Sequence, residues 1–253
     1  TKDRDIVNFD EEEAHIRTYL EKDGDEIKID MHLRKNKTKG IAIDGTKIKR
    51  ASELLGLMNV VFFSPEDLSI IKNGPSERRR FVDMELCQLD PMDKLYLTDL
   101  AGYNHVLNQR NKLLKDMYKR PDLEATLDVW DIQLVEFGKK IIERRTAFVD
   151  QMNTIIGGIH DSLSGGKEKL LLSYEPDISP EDFEGRLRGS QERDIRLKQT
   201  TVGPHRDDFA FIANEIDIRK FGSQGQQRTA ALSLKLSEIE LVKTMTKDTP
   251  ILL

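Results

Sequence analysis

Cysteine is almost missing from this chain: one, Cys87, in 253 residues. It cannot form an internal disulfide, so stability must come from packing, and a reducing, cytoplasmic setting is expected. Cys87 itself reads as a small residue on a helix. No apolar run approaches the ~20 residues of a membrane span, so no helical membrane anchor is expected in this sequence. Positive charge is not in excess either: 40 Lys and Arg against 45 Asp and Glu leave a net charge of −5. A generally basic surface is therefore excluded, and any contact with nucleic acid must come from a local patch or a groove between two copies. The first residue is Thr1 rather than methionine. The last four, Pro250-Ile251-Leu252-Leu253, read as the start of a buried strand. Both ends are expected to have been cut from a longer protein.

What is present is 34% charged and 38% hydrophobic residues, the balance of a globular chain with long polar helices. Residues 14–49 read as β. Ile27, Ile29, Met31 and Leu33 alternate with polar residues, the period of a half-buried strand. Residues 14–20 supply a partner strand. Asp44-Gly45 between Ile41-Ala42-Ile43 and Lys47-Ile48 signals a type I′ hairpin. The result is a small antiparallel sheet with one wet face. Val60-Val61-Phe62-Phe63 reads as a strand buried on both faces. Ser64-Pro65-Glu66-Asp67 then has the order of a helix start, with Ser64 as N-cap and Pro65 in first position. That stretch is either a cap or a phosphate- or metal-sensing loop.

Ser76 opens a further helix that carries Arg78, Arg79 and Arg80 in its first turns. Cations there oppose the helix dipole, so they do not serve helix stability. Two readings fit: contact with phosphate of DNA or nucleotide, or pairing with acids such as Glu77, Asp83 and Glu85. From residue 91 to about 160 the pattern is helical. Leu100, Tyr103, Leu107, Leu114 and Tyr118 share one face. After Arg120-Pro121, the residues Leu127, Trp130, Leu134, Phe137, Ile141, Phe148 and Ile155 form a heptad-like seam. Two long helices with a short connection imply an antiparallel hairpin. Lys139, Lys140, Arg144 and Arg145 form a basic run, either a solvated face or a DNA contact. Ser164-Gly165-Gly166 breaks the pattern, residues 169–174 read as a strand, and residues 180–194 as a polar helix. In Gly203-Pro204-His205-Arg206-Asp207-Asp208, His205, Asp207 and Asp208 raise a metal-dependent nuclease reading. One histidine and two acids is a thin ligand set, however. Phosphate or DNA contact by His205 and Arg206, or a structural turn, fits as well.

Residues 221–228, F-G-S-Q-G-Q-Q-R, open the last long helix. Ser223 is an N-cap and Gln226, three later, completes a capping box. Gly225 in the first turn lowers helix stability by about 1 kcal/mol relative to alanine. Bare backbone at a helix N-terminus lets an anion approach the amides. The stretch is thus either a well-capped helix and no more, or a phosphate site. Leu232, Leu234, Leu236, Ile239, Leu241 and Val242 surround the helix and imply that it is buried.

The eight-residue string resembles the signature motif of ABC-type ATPases, serine–glycine–glycine–glutamine, with Gln224 in place of the first glycine. Together with S-P-E-D-L at 64–68, P-S-E-R-R-R-F at 75–81 and G-P-H-R-D-D at 203–208, in that order, it resembles the RecF family. The resemblance spans nearly the whole chain. It implies an α/β, ABC-ATPase-like head, truncated, with an antiparallel β lobe and an inserted α-helical hairpin lobe. The implied parts are the remainder of ATPase lobe I at 1–90, the hairpin arm at 91–165 and the signature part of the head at 166–253. It further implies DNA repair and recombination by a head-to-tail dimer around two ATP and Mg²⁺. Such a dimer binds DNA, works with a RecR-type mediator and helps load recombinase at gaps. Ser223, Gln224, Gly225 and Gln226 would then meet ATP held by the other subunit. G-x-x-x-x-G-K-S/T does not occur in the sequence, and the strand leading to the catalytic acids reaches Leu253 before any acid. The chain alone is therefore expected to bind neither ATP nor Mg²⁺ and to turn over negligible ATP. A related family with long coiled-coil arms, the SMC proteins, fits less well because the helical insertion is short. The competing reading is a non-enzymatic interaction module built on the hairpin.

Overall fold

Alternating apolar and charged residues build the longest pairing in the chain. β1 (Glu13–Lys22) and β2 (Asp25–Arg34) run antiparallel from Glu13 opposite Arg34 to Lys22 opposite Asp25. β3 (Gly40–Ile43) and β4 (Thr46–Ile48) complete a four-stranded sheet in sequence order. Asp44 and Gly45 have φ of 49° and 80°, the positive values that a type I′ hairpin requires at both central residues. One face buries Ile29, Leu33 and Ile41. The other carries Glu13, His15 and Arg17 beside Asp30 and His32, in the expected wet-face arrangement.

The computed structural model describes residues 3–22, 24–89, 94–117 and 120–253. The chain divides into two compact units, Thr1–Met58 and Asn59–Leu253. The sheet belongs to the first; the hairpin and the signature region share the second. Residue 90, the expected lobe boundary, and Tyr118 lie outside the described residues.

The second unit opens with β5 (Val60–Val61). Ser64 caps the turn that follows: its Oγ accepts from the Glu66 amide at 3.2 Å, while its own amide donates to Asp67 at 2.9 Å. Next come α1 (Leu68–Lys72), α2 (Pro75–Leu89), α3 (Leu95–Asp116) and α4 (Leu127–Ser164). α4 has 38 residues, about 57 Å at 1.5 Å per residue. Leu127, Leu134, Ile141 and Phe148, seven apart, are all buried, so the seam is the face that α4 turns to its neighbours. Gly165, at φ 65°, caps the helix where Ser-Gly-Gly interrupts the pattern.

β6 (Leu170–Glu175) follows. The single polar helix expected at 180–194 is two short ones, α5 (Phe183–Gly189) and α6 (Gln191–Leu197). Ser190 separates them, its hydroxyl donating to the Leu187 carbonyl at 2.8 Å. β7 (Asp208–Ala213) and β8 (Ile216–Asp217) join β6 in an antiparallel sheet. α7 (Ile218–Phe221) leads into α8 (Gln224–Thr246), which buries Leu234, Ile239, Leu241 and Val242. β9 (Ile251–Leu252) pairs parallel to β5. Only Val61 of this pair is enclosed; Phe62 is 57% exposed and Leu252 53%. The expectations of a strand buried on both faces at 60–63 and of a buried strand at 250–253 are corrected. Among the described residues α8 packs beside β5, and nothing covers Phe62 or β9.

Candidate functional site

The start of α8 depends on two glycines three residues apart. A Cβ on Gly222 would sit 2.5 Å from the Ile218 carbonyl oxygen and 2.8 Å from the Ile218 Cβ. Gly222 is therefore required by the chain's own packing behind α7. A Cβ on Gly225 would meet only the Ser223 Oγ, at 3.8 Å. Nothing in the chain crowds it.

Ser223 is extended, at φ −63° and ψ 161°. Its Oγ accepts from the Gln226 amide at 3.2 Å, and its amide donates to the Gln226 Oε1 at 2.8 Å. The capping box read from the sequence is complete. The Ser223 hydroxyl hydrogen stays available, because the oxygen acts here as acceptor. The Gln227 amide donates to the Ser223 carbonyl at 3.0 Å. Among the described residues the amides of Gln224 and Gly225 donate to no protein acceptor, and both residues are exposed. Two unsatisfied N–H groups and a hydroxyl at the positive end of a 23-residue helix can receive an anionic oxygen. The rest of the string anchors it. Gln227 is buried and donates to the Ile218 carbonyl at 2.9 Å. Gln226 donates to the Glu168 carboxylate at 2.9 Å, and Glu168 meets His160 of α4 at 3.2 Å. Arg228 borders a cleft of about 500 Å³ with Ser64, Asp67 and Lys235.

Behind this start lies a buried ionic hub built from residues 203–208. Arg78 is 1% exposed and grips Asp208 with Nε at 2.7 Å and Nη2 at 3.1 Å. Its Nη1 donates to the Asn73 carbonyl at 2.6 Å. Arg219 of α7 reaches the same carboxylate at 2.9 Å. Burial opposes the charge of Asp208, but Arg78 and Arg219 outweigh it and hold the carboxyl below its usual range. Arg145, 2% exposed, bridges Asp83 at 2.9 Å and Asp207 at 2.7 Å. Asp207 also accepts from the Tyr174 hydroxyl and from the Asp177 amide. Burial works against the Arg145 charge, yet Tyr96, Asp83 and Asp207 keep its pKa above the ordinary value. His205 is pinned at both nitrogens: Nε2 donates to the Thr200 carbonyl at 3.1 Å, so Nδ1 accepts from the Tyr103 hydroxyl at 2.7 Å. Burial lowers the His205 pKa to about 4, so the ring is neutral at pH 7. Burial also raises the Tyr103 phenol, which remains a donor.

Two expectations are corrected here. Arg78 and Arg145 do not face phosphate; their guanidinium groups are enclosed and spent on carboxylates and carbonyls. Arg78 does pair with an acid, but with Asp208 rather than with Glu77, Asp83 or Glu85. Glu85 instead is buried beside Glu238 and Lys235, where burial, then Glu238, pushes its pKa up. His205, Asp207 and Asp208 do not form a metal cluster, because arginines occupy both carboxylates and the imidazole is engaged. Arg79 is half-buried and donates to the Asp207 carbonyl at 2.7 Å. Arg80, Arg144 and Arg206 are exposed and Lys139 is half-buried. Lys140 is exposed and lies 3.5 Å from both Asp99 and Glu136. Sequence reasoning missed Arg110, which is fully buried and joins Asp131 at 2.6 Å, Asp194 at 2.7 Å and Thr200 at 2.8 Å.

The α/β architecture, with a helical hairpin and a capped signature helix following a short strand, defines an ABC-ATPase-like head. No family model matches the chain. Over 253 residues it is 60% identical to the DNA replication and repair protein RecF of Agathobacter rectalis, covering all of this chain and 69% of that protein. It is 61% identical over 253 residues to that of Lachnoclostridium phytofermentans, with the same coverage. A solved RecF–ATP structure from the RecFOR pathway matches all of the chain and 69% of its own, at 36% identity and TM-score 0.92. The RecF–ATPrS structure gives TM-score 0.90 at 36% identity. The chain belongs to the RecF family of DNA replication and repair proteins.

Proposed function

We propose that this chain contributes the signature half of a composite ATP site, completed by the P-loop of another subunit in a head-to-tail dimer. The observation that carries the reading is the open backbone at Gln224 and Gly225, against a Gly222 that the fold itself requires. The Ser223 hydroxyl donates to a γ-phosphate oxygen, the two amides add hydrogen bonds, and the helix dipole favours the anion. These groups fit a phosphate. They do not fit Mg²⁺, and the sequence holds no P-loop lysine, so the metal and the hydrolytic groups belong to the rest of the composite site. By themselves residues 1–253 turn over negligible ATP. ATP bridging two subunits stabilises the dimer by the same free energy with which the dimer tightens ATP.

Residues 91–165 serve as an arm on this head. DNA contact falls to the exposed cations Arg80, Lys140, Arg144 and Arg206, with the half-buried Arg79 and Lys139 at the margin, in a local patch or dimer groove. The dimer works in the cytoplasm with a RecR-type mediator to load recombinase at gaps. The test is Ser223→Arg in the full-length protein. ATP-driven dimerisation, followed by light scattering, should be lost while the monomer still binds ATP. Dimers that persist in this variant would overturn the role in trans.

A further inference from the structure

The wet face of the four-stranded sheet carries a side-chain cluster that the ATP reading does not use. His15 on β1 lies directly opposite His32 on β2. Their rings stack with centroids 4.0 Å apart and planes 18° from parallel. Glu13, two residues before His15 and so on the same face, brings its Oε2 to 2.8 Å from His32 Nε2. One donor atom from each of the three lies within 4.8 Å of the others. We propose that Glu13, His15 and His32 form a binding site for a borderline divalent transition ion of the Zn²⁺ class, clamped across β1 and β2.

The chemistry of the donors favours that class. Two imidazoles and one carboxylate suit zinc, cobalt, nickel or copper rather than calcium or magnesium, which prefer oxygen alone. Zinc takes nitrogen and oxygen at ~2.0–2.2 Å, so tetrahedral ligands lie about 3.4 Å apart. The 2.8 Å Glu13–His32 hydrogen bond occupies the place where the ion would insert, with the ion replacing the shared proton. Small rotations of exposed side chains bring His15 to the same point. The strands supply rigidity, since His15 and His32 sit within a register that continues for several residues on their C- and N-terminal sides respectively. Arg34, the cation opposite Glu13, donates through Nη2 to the Thr38 carbonyl at 3.5 Å. Three protein ligands leave a fourth position for water or for a ligand from a partner.

The experiment uses the whole chain, freed of metal with chelator and titrated with Zn²⁺ by calorimetry and with Co²⁺ by visible absorption and NMR. One equivalent should bind. Co²⁺ should broaden the ring resonances of His15 and His32 before those of His105, an exposed histidine on α3 that serves as internal control. His15→Ala and His32→Ala should each weaken Zn²⁺ binding at least about tenfold, and Glu13→Gln by less, as loss of a direct ligand predicts. Equal broadening of His105, or variants that bind like the unaltered chain, would overturn the site. Should a variant fail to fold, the ring resonances of the unaltered chain decide alone.

Discussion

The ionic hub and the start of α8 are both rich in hydrogen-bonding groups, and they use them in opposite ways. In the hub, Arg78 and Arg145 are almost wholly buried, and their donors end on Asp83, Asp207, Asp208 and backbone carbonyls. Few donors there are left for a ligand. At the start of α8 the amides of Gln224 and Gly225 and the Ser223 hydroxyl are exposed with hydrogens to spare. A cluster of charges therefore marks a place where elements are tied together, while the less conspicuous Ser-Gln-Gly is where something else can bind. The two regions are joined through α7. Asp208 holds Arg219 at 2.9 Å, and Gln227 donates to the Ile218 carbonyl at 2.9 Å. Sheet, α2 and signature helix are thereby held in one arrangement, so the hub acts on the site by positioning it.

If the hub is structural, breaking it should affect stability first and by the largest amount. Arg145→Met leaves Asp83 and Asp207 without their cation in a buried setting. The expected loss is about 3–5 kcal/mol, read from urea denaturation. A variant as stable as the parent would mean that water, rather than Arg145, satisfies these acids. His205 gives a smaller and pH-dependent effect. Its folded pKa, about 4, lies below the unfolded value of 6.5. Above pH 6.5 the ring is neutral in both states and stability is full. As pH falls from 6.5 toward 4, the unfolded chain takes the proton first, and stability is lost. Between pH 6.5 and 5 that loss is about 2 kcal/mol at most. His205→Gln should remove it, so parent and variant denaturation curves measured at both pH values should differ in their pH dependence by that amount.

Much of the architecture was legible because it is local. The Asp44-Gly45 turn, the heptad seam of α4 and the Ser223–Gln226 box each lie within a few residues, where periodicity and capping rules act. The hub was not legible, because Arg78 and Asp208 are 130 residues apart and Arg145 and Asp207 are 62 apart. No local rule pairs them. One signal was available. Arg110 lies between Leu107 and Leu114 on the face expected to be apolar, and Asp131 and Arg145 interrupt the α4 seam in the same way. A charge within an apolar stripe calls for a buried partner of opposite sign. That rule would have drawn Arg110, Asp131 and Arg145 inward, and left Arg144 and Lys140 outside. For the end strands the sequence misled, because apolar residues imply burial only where something packs on them, and Phe62, Ile251 and Leu252 lack such cover among the described residues.

The two glycines sharpen the comparison to single atoms. Gly222→Ala puts a methyl 2.5 Å from the Ile218 carbonyl oxygen, and the short α7 must shift. Overpacking of this kind should cost about 1–2 kcal/mol, at the lower part of the usual range because α7 has only four residues to move. Gly225→Ala should do the reverse. Its methyl meets open space, and alanine favours the helical first turn, so this chain should gain about 0.5–1 kcal/mol in thermal or urea unfolding. In the full-length protein the same methyl sits where a phosphate oxygen must approach the amides. ATP-driven dimerisation should weaken there even as the monomer becomes more stable. If instead Gly225→Ala stabilises the chain and leaves ATP-dependent association untouched, the open backbone at this position has no ligand to receive, and the start of α8 is only a well-capped helix.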